Sequence, residues 1–258
     1  MLNHLRVEWL KIWRRSFERN LALVFLALGI VLPPALVSFS RLPGSGDISA
    51  CLIFPDNLSC ATDVLGRLAP LLGAVLGASI VGSEYSLGTM GFSIALSGDR
   101  TRLFGAKVLI LCGYCFVTLC VGLATWVGFA SLSSVWLANA PRPTASLVDG
   151  VATTFALSLS VAFNGVLGIV GATLARSEYG GVLVGAAMLM IGRVPPGRAV
   201  GAWLPQNHIA NVGCRLGGMP GVPCPGSCSA PASFLLLAVY AGVILAVGCA
   251  ALNRQELE

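Results

Sequence analysis

Long uncharged apolar runs are the feature that most limits what this chain can fold into. A helix needs about 20 consecutive apolar residues to cross the hydrocarbon core of a bilayer. The predicted spans cover residues 20–40, 64–83, 107–130, 150–175, 179–200 and 233–252. The sequence therefore predicts an all-α integral membrane protein with six transmembrane helices, in which residues 1–258 form a single transmembrane domain.

The composition favours the same class. Only 10% of the residues are charged, 56% are hydrophobic, and the mean hydropathy is +0.84. A soluble domain is about 25% charged, so most of this chain must face lipid or protein rather than water. The net charge is +5, but the sequence contains no soluble domain on which a basic face could form. We therefore expect membrane lipid, and no nucleic acid, among the partners.

The fifth apolar run is the weakest of the six. Its uninterrupted part, residues 179–192, is too short to cross a bilayer alone. Pro195 and Pro196 follow it, and proline removes a backbone donor and breaks helices. We expect a broken fifth span with a re-entrant-like outer segment, followed by an outer loop at residues 201–231.

The distribution of Lys and Arg predicts the orientation. Six spans with an internal N-terminus place ten of the 16 Lys and Arg residues on the inner face and six on the outer face. Positive residues favour the cytoplasmic side. We therefore expect a multi-pass protein of the cell membrane with both termini in the cytoplasm, and a cytoplasmic link at residues 84–106. The first run lacks a small-residue cleavage site, so we expect it to remain as a span.

The N-terminal segment, residues 1–19, has the pattern of an amphipathic helix. Trp9, Trp13 and Phe17 belong to its apolar stripe, whereas Arg14 and Arg15 lie off that stripe. Indole rings and arginines suit the headgroup zone, which predicts an interfacial helix on the inner leaflet. The alternative is a short helix that packs on another subunit.

Five of the nine cysteines fall in the two predicted outer loops, 41–63 and 201–231. These candidates for disulfide bonding are Cys51, Cys60, Cys214, Cys224 and Cys228. Disulfides form in an oxidising exterior, so this partition agrees with the predicted orientation. Cys51–Cys60 is the natural pair, and the other three leave open a pair within the second loop or a bridge between loops. The second loop lacks a second ligand pair for zinc, so we expect no metal site.

Charged groups are missing from the interiors of the predicted spans. Ion-coupled transporters and charge-selective pores keep such groups inside the membrane. The chain has two lysines, Lys11 and Lys107, and neither follows a glycine as a phosphate-binding loop requires. We therefore expect no ATP site on this chain, and uphill transport would need another polypeptide to supply the energy.

An intramembrane hydrolase built on Ser79 is also disfavoured. The two histidines, His4 and His208, lie outside clear spans, and a serine without a base is not activated. Ser79 instead belongs to a series of small residues that allow helices to approach closely in lipid. That series is Gly73, Gly77, Ser79 and Gly82. We expect no catalytic residues.

The link between the second and third spans reads SEYSLGTMGFSIALSGDR. Residues 85–96 can form about three helical turns with Leu87, Met90 and Ile94 on one face, and Gly98 suits a helix end. A short amphipathic helix of this kind docks in a partner groove or rests on the membrane surface. The residues alone leave both open.

Glu84, then Gly88 and Thr89, then Arg100, then Lys107 make a pattern that resembles the permease subunits of type-2 ATP-binding-cassette (ABC) transporters. The basic N-terminal helix, six spans, broken fifth span and charged tail NRQELE are similar to that family along essentially the whole chain. Members often carry a proline shortly before the arginine, where this chain has Ser-Gly-Asp.

The resemblance implies an ATP-driven exporter in which this chain is a non-catalytic permease. Two permease subunits, identical or different, would dimerise, and each would dock on a cytosolic ABC ATPase subunit that binds ATP and Mg²⁺. The link would be the coupling helix. The residues implied in coupling or docking are Glu84, Leu87, Gly88, Thr89, Met90, Ile94, Arg100 and Lys107. The apolar spans favour an amphiphilic, lipid-like or peptide cargo.

A different function class stays open. The chain could be a non-transporting membrane scaffold or sensor that binds a ligand through its outer cysteine-containing loops. An ATPase rate that responds to an exported compound would distinguish the transporter from this alternative.

Overall fold

Helices make up 94% of the described residues, and no strand occurs among them. The computed structural model describes residues 2–14, 56–134, 147–191, 203–217 and 229–255, with scattered positions between 19 and 35. The helices are α1 (Leu2–Arg14), α2 (Asp56–Ser86), α3 (Met90–Ser97), α4 (Arg100–Ser134), α5 (Leu147–Ala175), α6 (Glu178–Ile191), α7 (Pro205–Gly217) and α8 (Ala230–Arg254). The all-α class predicted from the sequence is confirmed for this part of the chain.

Three helices in the described part of the chain are long and apolar enough to cross a membrane. They are α4, α5 and α8, and the bent pair of α2 and α3 makes a fourth if it counts as one span. The chain therefore has the helices of a membrane protein, but six spans are not supported. With 14 residues, α6 is about 21 Å long, which is short of the roughly 30 Å hydrocarbon core. Most of residues 20–40 lie outside the described residues.

Two predicted outer loops contain helix. α2 begins at Asp56, inside the predicted loop 41–63, and α7 lies inside the predicted loop 201–231. Apolar runs do not reveal α7 because its polar and apolar residues alternate with the helical period. Ile209 and Val212 are buried, whereas Arg215 is exposed.

Small residues bring α2, α5 and α6 into backbone contact. A Cβ atom on Gly77 would overlap the carbonyl oxygen of Gly165, and one on Gly168 would overlap the carbonyl oxygen of Ala74. A Cβ on Gly82 would meet the backbone of Glu178 in the same way. Lipid tails give no hydrophobic force between helices, so such close packing supplies much of their attraction. The packing role predicted for Gly77 and Gly82 is confirmed.

The N-terminal helix packs on this bundle. The ring of Trp9 meets Tyr114 of α4 edge-on, with centroids 6.3 Å apart, whereas Val7 and Leu10 are exposed. Trp9 therefore packs partly against the bundle, and the interfacial position of the helix stays a prediction. The side chains of Trp13, Arg15 and Phe17 lie outside the described residues, and Arg14 is exposed.

The close helix contacts predict the effect of adding one methyl group. Gly77→Ala should lower the unfolding free energy by about 1–3 kcal/mol, the usual cost of overpacking. Gly113 lies on α4 with open space around its missing Cβ, so Gly113→Ala should be neutral or slightly stabilising. Thermal unfolding of both variants in detergent provides the comparison. Equal effects at the two positions would contradict the close packing.

Candidate functional site

Four charged side chains meet where α1, α2 and α4 converge, and we call them the charged cluster: Glu8, Lys11, Glu84 and Lys107. The Nζ atom of Lys107 lies 3.0 Å from Oε2 of Glu8 and 2.9 Å from Oε1 of Glu84. The Nζ atom of Lys11 lies 2.6 Å from Oε1 of Glu8 and 3.1 Å from Oε1 of Glu84. Each cation bridges both carboxylates, so the cluster has no net charge.

The charged cluster is buried. Glu8, Glu84 and Lys107 are only 6%, 2% and 1% exposed. An isolated charge in such a place would be very costly, whereas a neutral, hydrogen-bonded group of charges can be accommodated. Lys11 also donates to the Ser93 hydroxyl of α3 at 3.3 Å. The cluster therefore joins α3 to the three longer helices around it.

The two members on α1 have shifted pKa values. Burial alone would raise the pKa of Glu8, but Lys107 and Lys11 outweigh it and hold the pKa below the ordinary value of 4.5. Burial alone would lower the pKa of Lys11, but Glu8 and Glu84 raise it above the ordinary value of 10.5. Both groups are therefore charged at neutral pH.

The sequence interpretation identified Glu84 and Lys107 but missed Glu8, and it treated Lys11 only as an inner-face charge. The sequence nevertheless contains a pattern that indicates a buried Glu8. Glu8 lies three residues after Leu5 and four before Ile12, which places an acid on the apolar side of α1. An acid on a buried stripe requires a cationic partner.

The link between α2 and α4 begins with a tight helix end. The N–H of Thr89 donates to the Glu84 carbonyl at 2.9 Å and that of Gly88 donates to the Tyr85 carbonyl at 3.1 Å, with Gly88 at φ +66°. This is the pattern of a Schellman motif. Because it ends α2, the link helix α3 begins at Met90 rather than at Tyr85 as predicted, and α2 and α3 meet at 98°. α3 ends at Ser97, before Gly98, as the sequence predicts.

α3 presents a different face from the predicted one. Met90 is buried, and Ile94 packs partly buried against the core, so two of the three residues predicted to share one apolar face are turned inward. Leu87, Phe92 and Leu96 are instead 71%, 68% and 65% exposed. We call these three residues the exposed apolar face. Sequence reasoning missed Phe92 and Leu96 because they share the other face of the helix, and tertiary contacts decide which face is buried.

Arg100 connects the link to the end of α8. Its guanidinium donates to the carbonyls of Leu252, Asn253 and Gln255 at 3.1, 3.0 and 2.8 Å. These carbonyls lie at a helix C-terminus, where backbone acceptors lack partners and a cation is favoured. The Gln255 amide in turn donates to the Thr173 carbonyl of α5 at 2.6 Å. The N-terminal helix, the link and the end of α8 therefore share one end of the bundle.

One predicted outer-loop cysteine is described in full. Cys214 on α7 is disulfide-bonded. Cys112, Cys115, Cys120 and Cys249 are free. The side chains of Cys51, Cys60, Cys224 and Cys228 lie outside the described residues, and the individual pairings stay predictions. In the part of the chain that is described, no three His, Cys, Asp or Glu residues are grouped to hold a metal.

Breaking the charged cluster should destabilise the protein more than removing charge elsewhere. Glu8→Gln or Lys107→Met alone should cost about 3–5 kcal/mol, because each leaves a buried charge without its full counter-charge. The double variant should cost less than the sum of the two, since it removes both charges together. Arg102→Gln is the control, since its pair with Asp99 is exposed and should be worth at most about 1 kcal/mol. Additive losses in chemical unfolding would contradict a coupled cluster.

The same cluster predicts how stability depends on pH. The folded pKa of Glu8 is lowered, so its contribution is present above the unfolded value of 4.5 and is lost as pH falls through the folded value. The folded pKa of Lys11 is raised, so its contribution is present below 10.5 and is lost as pH rises through the folded value. The melting temperature of the wild type should therefore decrease more steeply with falling pH than that of Glu8→Gln. An equally steep decrease in both proteins would show that Glu8 is not paired.

Comparisons with known proteins give no information on the roles of these residues. No protein-family model matches the chain, and no curated protein matches it either.

Proposed function

We propose that this chain is the permease subunit of an ATP-driven ABC exporter and that its link docks on a separate cytosolic ATPase. The observation that carries the proposal is the exposed apolar face of the link, which the buried charged cluster holds against the ends of α2 and α4. The ATPase subunit, not this chain, would bind ATP and Mg²⁺. The cargo class that fits the apolar helices is amphiphilic, lipid-like or peptide.

The position of the exposed apolar face favours a protein partner. Leu87, Phe92 and Leu96 are followed by Asp99 and Arg102, whose side chains are also exposed. Exposed charges place this end of the bundle near water or headgroups rather than in the hydrocarbon. Large apolar side chains in such a setting are typical of a surface that another protein covers.

The contacts of the link suit the transmission of force. Ser93 of α3 meets Lys11, and Lys11 is paired within the charged cluster to residues of α1 and α2. Arg100, at the start of α4, holds the end of α8. Displacement of α3 by a partner would therefore be passed to four helices rather than absorbed by a loop.

The topology of the proposal keeps the six spans expected from the sequence. The N-terminal helix, the link and the end of α8 share one end of the bundle, which agrees with an even number of crossings. That end would face the cytoplasm, as the positive residues predict. Two such subunits, identical or different, would form the complete transmembrane unit.

A scaffold or sensor remains the second candidate because of one observation. Cys214 is disulfide-bonded on the amphipathic helix α7, and a cross-linked outer surface suits ligand binding. This candidate requires no ATPase, so the experiment on the link distinguishes the two.

The docking proposal is tested by making the exposed apolar face polar. Wild-type protein purified from its native membrane should bring with it a nucleotide-binding ATPase whose activity is retained in the complex. Phe92→Ser with Leu96→Ser should weaken that association about tenfold or more, because large buried apolar residues carry most of an interface's binding energy. Charge reversal of Glu84 is a poor test, since Glu84 is buried and its loss should disturb folding.

Leu132→Ser is the matched control for the docking experiment. Leu132 is similarly exposed but lies near the other end of α4, so its change should leave association unaltered. If no ATPase accompanies the wild type, or if the double variant retains it fully, the docking proposal is wrong.

A further inference from the structure

Four exposed residues of α1 form a surface that the charged cluster does not use, and we call it the outward face of α1. Val7 and Leu10 are 51% and 49% exposed, and Arg6 and Arg14 are exposed beside them. Because a helix turns about 100° per residue, the four positions fall within an arc of about 100°. Glu8, the one acidic residue of α1, is buried on the other side of the helix. The outward face therefore combines apolar side chains with positive charge alone.

The two arginines of the outward face have no counter-charge in the part of the chain that is described. Neither Arg6 nor Arg14 makes a side-chain hydrogen bond or an ion pair with a described residue. They lie eight residues apart, or about 12 Å along the helix. A guanidinium presents a planar set of donors that suits phosphate. The outward face can therefore accept anions from outside the chain at two points.

The contacts of α1 place it near the edge of the hydrocarbon core. The candidate span in α4, Arg100–Leu132, has 33 residues and is about 50 Å long, so a core of roughly 30 Å centred on it begins about 10 Å from Arg100. Lys107 lies at that level and pairs with Glu8 of α1. α1 is therefore beside α4 at the depth where acyl chains meet lipid head groups.

Only one environment at this depth suits all four residues of the outward face. Water would leave Val7 and Leu10 hydrated, and hydrocarbon would leave both arginines without an anion. At the boundary between the two, the apolar side chains contact acyl carbons and the guanidinium groups reach phosphates. The charge of the outward face is complementary to anionic lipids, which attract each Lys or Arg near the surface.

The opposite side of the same helix holds the link. Glu8 accepts from Lys107 of α4 at 3.0 Å, and Lys11 donates to the Ser93 hydroxyl of α3 at 3.3 Å. A ligand that binds α1 only when the helix is folded and docked stabilises that state by mass action. Anything bound to the outward face is therefore one helix away from α3.

We propose that the outward face of α1 binds the head groups of anionic phospholipids in the leaflet beside the charged cluster, and that this contact strengthens the hold of α1 on the link. The lipid phosphates pair with Arg6 and Arg14, while Val7 and Leu10 contact the first acyl carbons. The lipid contact itself requires no ATPase, whereas its consequence for docking rests on the proposed function.

Hydrogen–deuterium exchange of the full-length protein in two kinds of nanodisc tests the lipid contact. One kind contains phosphatidylcholine alone, and the other contains phosphatidylcholine with a minor fraction of phosphatidylglycerol. Each arginine near an anionic surface contributes roughly fivefold, so the amides of α1 should exchange about tenfold or more slowly with phosphatidylglycerol. Added salt should reduce this difference, and soluble glycerol phosphate should not reproduce it. Equal exchange of α1 in both nanodiscs would overturn the proposal.

The variant Arg6→Gln with Arg14→Gln tests the assigned residues. It should lose the difference between the two nanodiscs and match the wild type in phosphatidylcholine, because neither arginine is paired within the described chain. Arg254→Gln is the matched control, since Arg254 is exposed at the same end of the bundle but on α8. An equal loss in both variants would mean a general attraction of lipid to this end and would contradict a site on α1.

Ser93→Ala tests the connection to the link. In the wild type, phosphatidylglycerol should slow the exchange of α3 together with that of α1. In Ser93→Ala, the effect on α1 should remain while the effect on α3 diminishes. If α3 never responds to the lipid, or responds equally in this variant, the connection is wrong.

A partner protein is the competing occupant of the outward face. If phosphatidylglycerol leaves α1 unprotected and only the complex purified from native membrane protects it, a protein covers this face and the lipid proposal is wrong. The nanodisc measurements contain no ATPase, so their failure is distinguishable from failure of the proposed docking function.

Discussion

The neutral charged cluster is the interaction on which the rest of the structure depends. Two lysines and two glutamates from α1, α2 and α4 satisfy one another in a place that none of them could occupy alone. α1 is held to the bundle by this pairing and by Trp9. α3 is held through Ser93. The helix end at Gly88 turns α3 away from α2, and these contacts hold α3 in the resulting position.

A second set of contacts ties the same region to the chain's last helix. Arg100 satisfies three carbonyls at the end of α8, and Gln255 reaches α5. The two ends of the chain and the link thus form one connected polar layer at one end of an otherwise apolar bundle. An apolar groove lies elsewhere in the bundle, lined by Leu167, Met188 and Tyr240 among others.

The sequence predicts the apolar helices well because their signal is local. α4, α5 and α8 each contain a predicted span. Sequence reasoning fails where tertiary contacts determine the role of a side chain. The role of Glu8 depends on its ion pair with Lys107. Met90 is buried because Gly88 ends α2 and turns α3. α7 was missed because an amphipathic helix in a Pro- and Gly-rich region does not appear as an apolar run. Family resemblance identified Glu84, Arg100 and Lys107 without revealing what they contact.

Hydrogen–deuterium exchange over residues 84–107 tests the central claim most directly. If the charged cluster holds the link, the α3 amides of the wild type should exchange slowly, on the timescale of the adjoining ends of α2 and α4. In Lys107→Met, exchange in α1 and α3 should accelerate together, while the centres of α5 and α8 stay protected. Rapid exchange of α3 in the wild type, or acceleration in α3 without α1, would contradict this account.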